Sequence, residues 1–192
     1  MTESVVLLEV DSRGVATVTL NRPAVNNAYN TDLVLGLMDV FQKIGDDDDV
    51  RVVVIRGNGR HFQAGAELAW LREVSELNEQ ENLTVSSRTA ALVRDLNEFP
   101  KPVVALIHGA CVGGGTGIAA ACDIVIASED AMFAISEARW GVVAHVIFPQ
   151  LNAAIGPRQV RRYALSCERF SADTACRLGL VHHVCKTGEL DQ

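Results

Sequence analysis

Residues 102–117 read PVVALIHGACVGGGTG. The first part, Pro102–Ile107, is a run of aliphatic and β-branched residues with no polar face, the pattern of a strand buried on both sides. The second part carries glycines at 109, 113, 114, 115 and 117 and leads into an apolar stretch, Gly117–Cys122, that reads as a short helix. A buried strand, a glycine-rich loop and a helix in that order belong to an α/β sheet. The loop falls at the strand's C-terminal end, where such sheets place their ligands. Pro102 to Cys122 contains no Asp, Glu, Lys or Arg and is long enough to cross a bilayer. Its glycines break it up, so it reads as strand, loop and helix rather than as a membrane span.

The same grammar extends outward. Downstream, Asp123–Ala127 is another buried strand, followed by Phe133-Ala134-Ile135-Ser136-Glu137. Upstream, Val52–Arg56 is nearly continuous in β-branched residues and is followed by His61-Phe62-Gln63-Ala64-Gly65-Ala66-Glu67-Leu68. Val5–Val10 and Val15–Leu20 flank Ser12-Arg13-Gly14, a hairpin pattern, and Asn21-Arg22-Pro23 ends it. Helical spacing runs from Thr31 to Ile44, with Asn30 or Thr31 as cap. It recurs over Leu71–Glu98, a polar stretch closed by Pro100, over Asn152–Ser166, and over Ala172–Leu178, closed by Gly179. Strands alternating with helices predict an α/β fold with substantial parallel sheet. No repeat of fixed period, low-complexity segment or linker appears, so residues 1–192 read as a single domain.

Bulk properties narrow the function classes. Hydrophobic residues make up 48% and charged residues 21%, ordinary for a globular chain. The formal net charge of −7 argues against a general grip on nucleic acid or an anionic membrane. The N-terminus has no basic region followed by an apolar core, so it does not read as a signal peptide. Five cysteines without a C-x-x-C pair point to a reducing, cytoplasmic setting and to small buried thiols. Asp46–Asp49 reads as a solvated turn. His182 and His183 lack companion ligands, so no metal is expected.

Three segments thus follow strand ends, and their combination carries chemistry. Glycines keep side chains clear, so that a backbone N–H can point at a ligand oxygen, and a helix N-terminus adds a positive dipole end. Two such N–H groups from two loops can hold one oxyanion, and a carboxylate nearby can move a proton. Glu137, in a largely apolar stretch, suits the second task because burial raises a carboxyl pKa. Gly115-Thr116-Gly117-Ile118-Ala119-Ala120 also fits a dinucleotide fingerprint. The loop before it is too long for the tight turn that fingerprint needs, and this reading leaves Ala64–Leu68 and Glu137 unexplained.

The ordered set Asn21-Arg22-Pro23, Asn27-Ala28, Phe62–Leu68, Lys101–Ala105, Gly113-Gly114-Gly115, Ala121-Cys122-Asp123, Phe133, Glu137, Gly141 and Leu178–Val181 resembles the crotonase (enoyl-CoA hydratase/isomerase) superfamily over nearly the whole chain. The resemblance implies a crotonase-like spiral of β-β-α turns, assembled as a homo-trimer or hexamer. It implies an acyl-CoA thioester as substrate, with no separate cofactor because coenzyme A is part of that substrate. It places oxyanion-hole N–H groups at Ala66 and Gly114, an acid/base at Glu137, coenzyme A contacts at Ala28, Ala64, Gly65, Glu67 and Leu68, and an acyl pocket near Gly117, Trp140 and His145. Within the superfamily, Gly113–Asp123, Ser136–Gly141 and Arg161–Phe170 look most like bacterial methylglutaconyl-CoA and isohexenylglutaconyl-CoA hydratases, enzymes of leucine and acyclic terpene breakdown.

The sequence departs from the family pattern in three places. Many hydratases carry a second glutamate where Gly117 stands. The proline usual after Gly141 is missing from Val142–Val146. The chain stops at Gln192, where family members continue into helices, so the C-terminal helical region is expected to be missing or truncated. Three functions follow: hydration of a branched 2-enoyl-CoA, a single-glutamate shift of a 3-enoyl-CoA double bond to the 2-position, and non-catalytic binding of an acyl-CoA.

Overall fold

The computed structural model describes residues 4–192. Six strands form the main sheet: β1 (Val6–Val10), β2 (Val15–Leu20), β3 (Val52–Gly57), β4 (Val103–Ile107), β6 (Ile124–Ser128) and β9 (His183–Cys185), neighbouring one another in that order. Only β1 and β2 run antiparallel, as the hairpin reading predicts; every other pair is parallel. The residues of β3 and β4 explain their place, since the β-branched side chains of Val53, Ile55 and Val103 are fully or almost fully buried.

A second, smaller sheet holds β5 (Ala110–Val112), β7 (Met132–Ala134) and β8 (Phe170–Ser171). Its register reveals the spiral. Gln63 bridges Cys111, Cys111 pairs with Phe133, and Phe133 pairs with Phe170. Each turn therefore lays one strand in the large sheet and a short segment in the small one. The α/β spiral expected from the resemblance is the fold observed.

Helices complete the turns: α1 (Thr31–Gly45), α2 (Leu68–Ser75), α3 (Glu79–Asn97), α4 (Gly114–Ala121), α5 (Phe148–Ser166) and α6 (Ala172–Leu178). Asn30 caps α1, accepting from the Leu33 N–H at 3.1 Å. The α4 helix is buried and packs against α3 and α5. One apolar core runs from Val6 to Val181 and takes in Phe62, Phe133, Ile147 and Leu151.

Several boundaries differ from expectation. The polar stretch Leu71–Glu98 is two helices, because Asn78 caps α3 through a reciprocal pair with Glu81. The helix expected from Gly117 begins three residues earlier, at Gly114, since glycines here are tolerated by burial rather than selected for propensity. The helix expected at Asn152 begins at Phe148 and is kinked at Gly156 (φ 76°), just before Pro157. Strands β5, β7, β8 and β9 span three residues or fewer, too short to leave a periodic pattern. Among the described residues, no helix is long and apolar enough to cross a membrane.

Candidate active site

The loop after β3 is pinned by its own side chains. The buried Gln63 amide bonds both backbone groups of Gly65: its oxygen accepts from the Gly65 N–H at 2.8 Å, and its nitrogen donates to the Gly65 carbonyl at 3.1 Å. Asn27, also buried, donates to the carbonyls of Asn58 and His61 at 2.8 Å each. Arg22 donates to the Ala28 carbonyl and to Glu67, the latter at 2.7 Å. Three of the loop's N–H groups are occupied: Ala64 donates to Asn26, Gly65 to Gln63, and Glu67 to Tyr29. The Ala66 N–H, between them, finds no acceptor among the described residues.

The second loop is the entry to α4. Gly113 has φ 55° and ψ −123°, a conformation that only glycine adopts readily. Its carbonyl accepts from both the backbone N–H and the hydroxyl of Thr116, at 2.8 and 2.6 Å. Gly114, the first helical residue, has an N–H with no partner within the helix, and none among the other described residues. A Cβ at Gly113 would stand 2.9 Å from Glu137 Oε1 and 3.5 Å from the Gly65 Cα. The three segments singled out in the sequence thus converge on Gly113.

Glu137 follows β7 and opens a short 3-10 helix, Glu137–Trp140. Its Oε2 is buried and has no hydrogen-bond partner. Burial holds its carboxyl above the ordinary carboxylate value, opposed by the backbone N–H groups of Glu137 and Ser136.

Two adjoining cavities meet at this carboxylate. The first is lined by Ala64, Gly65, Ala66, Leu68, Ser136 and Trp140. The second runs between α2, α3 and the Val142–Ile147 segment, and includes Trp70, Gly114 and His145. Tyr29, Leu71, Glu137 and Val142 border both. Among these lining residues, Glu137 is the single carboxylate. The cavity thus brings together Ala64, Gly65, Ala66, Leu68, Gly114, Glu137, Trp140 and His145.

Three residues of the expected set lie elsewhere. Glu67 faces Arg22, Ala28 is buried with its carbonyl on the same guanidinium, and Gly117 lies beneath Ile147. A Cβ on Gly117 would be 2.1 Å from Ile147 Cγ2, so Ile147 fills the space a side chain there would need. His182 is structural: its Nδ1 accepts from the Val125 N–H at 3.0 Å. Among the described residues, no group of three or more His, Cys, Asp or Glu is placed to hold a metal ion.

Sequence reasoning missed Tyr29 and the part played by Gln63. The signal for Gln63 was available, as a long amide beside an Ala-Gly-Ala turn. Nothing local marked Tyr29, whose place depends on pairing with a loop distant in sequence.

Residues 11–192 match the enoyl-CoA hydratase/isomerase family. The chain belongs to that family. It is 34% identical over 187 residues to a short-chain-enoyl-CoA hydratase of Clostridium acetobutylicum, covering 96% of this chain and 70% of that one. It is 38% identical over 180 residues to the mitochondrial Delta(3,5)-Delta(2,4)-dienoyl-CoA isomerase of Mus musculus, covering 87% of this chain and 54% of that one. The crystal structure of an enoyl-CoA hydratase from Shewanella pealeana superimposes with a TM-score of 0.94 at 33% identity, over 97% of this chain and 69% of that one. The chain of this hydratase/isomerase family member therefore spans only part of each relative's length.

Proposed function

We propose that the protein hydrates a branched 2-enoyl-CoA, of the methylglutaconyl or isohexenylglutaconyl type. The observation that carries the reading is the pair of unengaged N–H groups, Ala66 and Gly114, on two loops that flank a carboxylate with one unpartnered oxygen. The thioester oxygen accepts from both. As water adds to C3, the C2=C3 electrons move toward the carbonyl, and the two N–H groups stabilise the resulting enolate; losing one such donor typically costs about 3 kcal/mol of barrier. Glu137 takes one proton from the attacking water and returns it to C2. Coenzyme A lies against the Ala64–Leu68 loop, and the acyl chain enters the cavity beside Trp140 and His145. The assembly proposed is a homo-trimer or hexamer. The compartment proposed is the cytoplasm, in keeping with five free cysteines.

A second reading is favoured by Gly117. With Ile147 in the space beside it, the cavity offers one carboxylate, enough to shuttle a proton between two carbons in a 3-enoyl to 2-enoyl isomerisation.

Turnover of 3-methylglutaconyl-CoA, crotonyl-CoA and 3-hexenoyl-CoA tests both, using the wild-type chain and Glu137→Gln in ¹⁸O-labelled water. A labelled 3-hydroxyacyl-CoA, lost in the variant, supports hydration. An unlabelled 2-enoyl product from 3-hexenoyl-CoA supports isomerisation. Tight acyl-CoA binding without any turnover by the wild type would leave a non-catalytic binder and overturn both.

A further inference from the structure

Four residues border both cavities, and only two of them, Glu137 and Tyr29, have polar side chains. Tyr29 is zipped to the first loop on both sides of Ala66: its N–H donates to the Gly65 carbonyl at 2.9 Å, and its carbonyl accepts from the Glu67 N–H at 3.0 Å. Its ring lies edge-on against the second loop. A Cβ on Gly114 would stand 2.4 Å from Tyr29 Cε1 and 3.2 Å from Cζ, the atom that bears the hydroxyl. Behind it, Trp70 packs at a centroid distance of 5.3 Å and an interplanar angle of 67°. The ring is thus wedged between Gly114 and Trp70, and its hydroxyl makes no hydrogen bond with any described residue. A fixed phenol that shares the wall of both cavities with Glu137 makes no hydrogen bond among the described residues that a phenylalanine in its place would lose.

We infer that Tyr29 is a further catalytic residue, whose hydroxyl accepts one O–H of the attacking water while Glu137 accepts the other. The inference rests on the hydratase reading above. Held at both hydrogens, the water presents a lone pair to C3. One proton passes to Glu137 and on to C2, the other stays on the new C3 hydroxyl, and Tyr29 keeps its own proton throughout. Burial and the neighbouring Glu137 raise the phenol's pKa, so it stays neutral and does not compete as a base. The arrangement supplies a second anchor for water in a cavity whose lining holds one carboxylate.

The test is Tyr29→Phe, which keeps the ring against Gly114 and Trp70. Two reactions are measured: hydration of the preferred enoyl-CoA, and exchange of the α-protons of butyryl-CoA with D2O. Exchange needs Glu137 and the two N–H groups but no positioned water. The expected result is a fall in hydration kcat of about tenfold to a hundredfold, the worth of one hydrogen bond in a dry site. KM should stay near the wild-type value, and exchange should be retained. Glu137→Gln should lose both reactions. Hydration by Tyr29→Phe at the wild-type rate overturns the inference, as does an equal loss of exchange and hydration. A wild type that exchanges protons but hydrates nothing overturns the hydratase reading itself, and that failure appears before any variant is made.

Discussion

At the scale of single residues, Glu137, the proposed acid/base, is the group on which chemistry and stability pull apart. Its carboxyl is pushed above its ordinary value by burial, and one oxygen has no partner. A group whose pKa is raised by folding contributes stability that is fully present below the unfolded value and is lost as pH rises through the folded one. Glu137→Gln should therefore lower turnover by about 10²–10⁴-fold yet raise the Tm at pH 8 relative to wild type, with the gain shrinking toward pH 4. A variant that melts lower at pH 8 would contradict this account of the buried carboxylate. The same shift should place the acid limb of kcat/KM above the ordinary carboxylate value of 4.5, because the proposed reaction begins with the ionised form. Glu137 was legible in the sequence because an acid in a largely apolar stretch at a strand end is conspicuous. Tyr29 was not, since a tyrosine after Ala28 becomes part of the site only when its backbone pairs with Ala66.

At the scale of elements, the entry to α4 shows glycines used for three separate reasons. Gly113 adopts a backbone conformation closed to other residues and leaves room for Glu137; Gly114 makes way for the Tyr29 ring; Gly117 makes way for Ile147. Gly117→Ala should accordingly destabilise the protein by about 1–3 kcal/mol, the usual cost of overpacking a core. Much of that should return in Gly117→Ala with Ile147→Ala, which a double-mutant cycle by denaturant unfolding would read as a coupling. Additive losses would mean that Ile147 does not set the limit. The glycine run announced a ligand loop without the positions of its neighbours; the pocket place of Gly117 came instead from the family resemblance, and Ile147 covers that glycine. The break between α2 and α3 was also written locally, in Asn78 and Glu81, a capping box inside a stretch whose periodicity runs straight through it. Strands β5, β7 and β8 were illegible for a different reason. They exist because successive turns stack in register, a relation between distant segments that no window of sequence contains.

At the scale of the whole molecule, that register from Gln63 through Cys111 and Phe133 to Phe170 aligns the strand ends, so that loops far apart in the chain open on one cavity. The parallel strands followed from strand patterns alternating with helical ones, whereas assembly leaves no comparable trace. A trimer, the smaller of the proposed assemblies, would show by light scattering as three times the chain mass, and a monomer at micromolar concentration would remove that part of the proposal. The chain's two tryptophans both stand at the cavities: Trp70 edge-on to Tyr29, Trp140 at the mouth and 57% exposed. The molecule therefore carries its own optical reporter. Adding an acyl-CoA should quench or blue-shift its intrinsic emission without any label, and Trp140→Phe would separate the rim's share of that signal from the interior's.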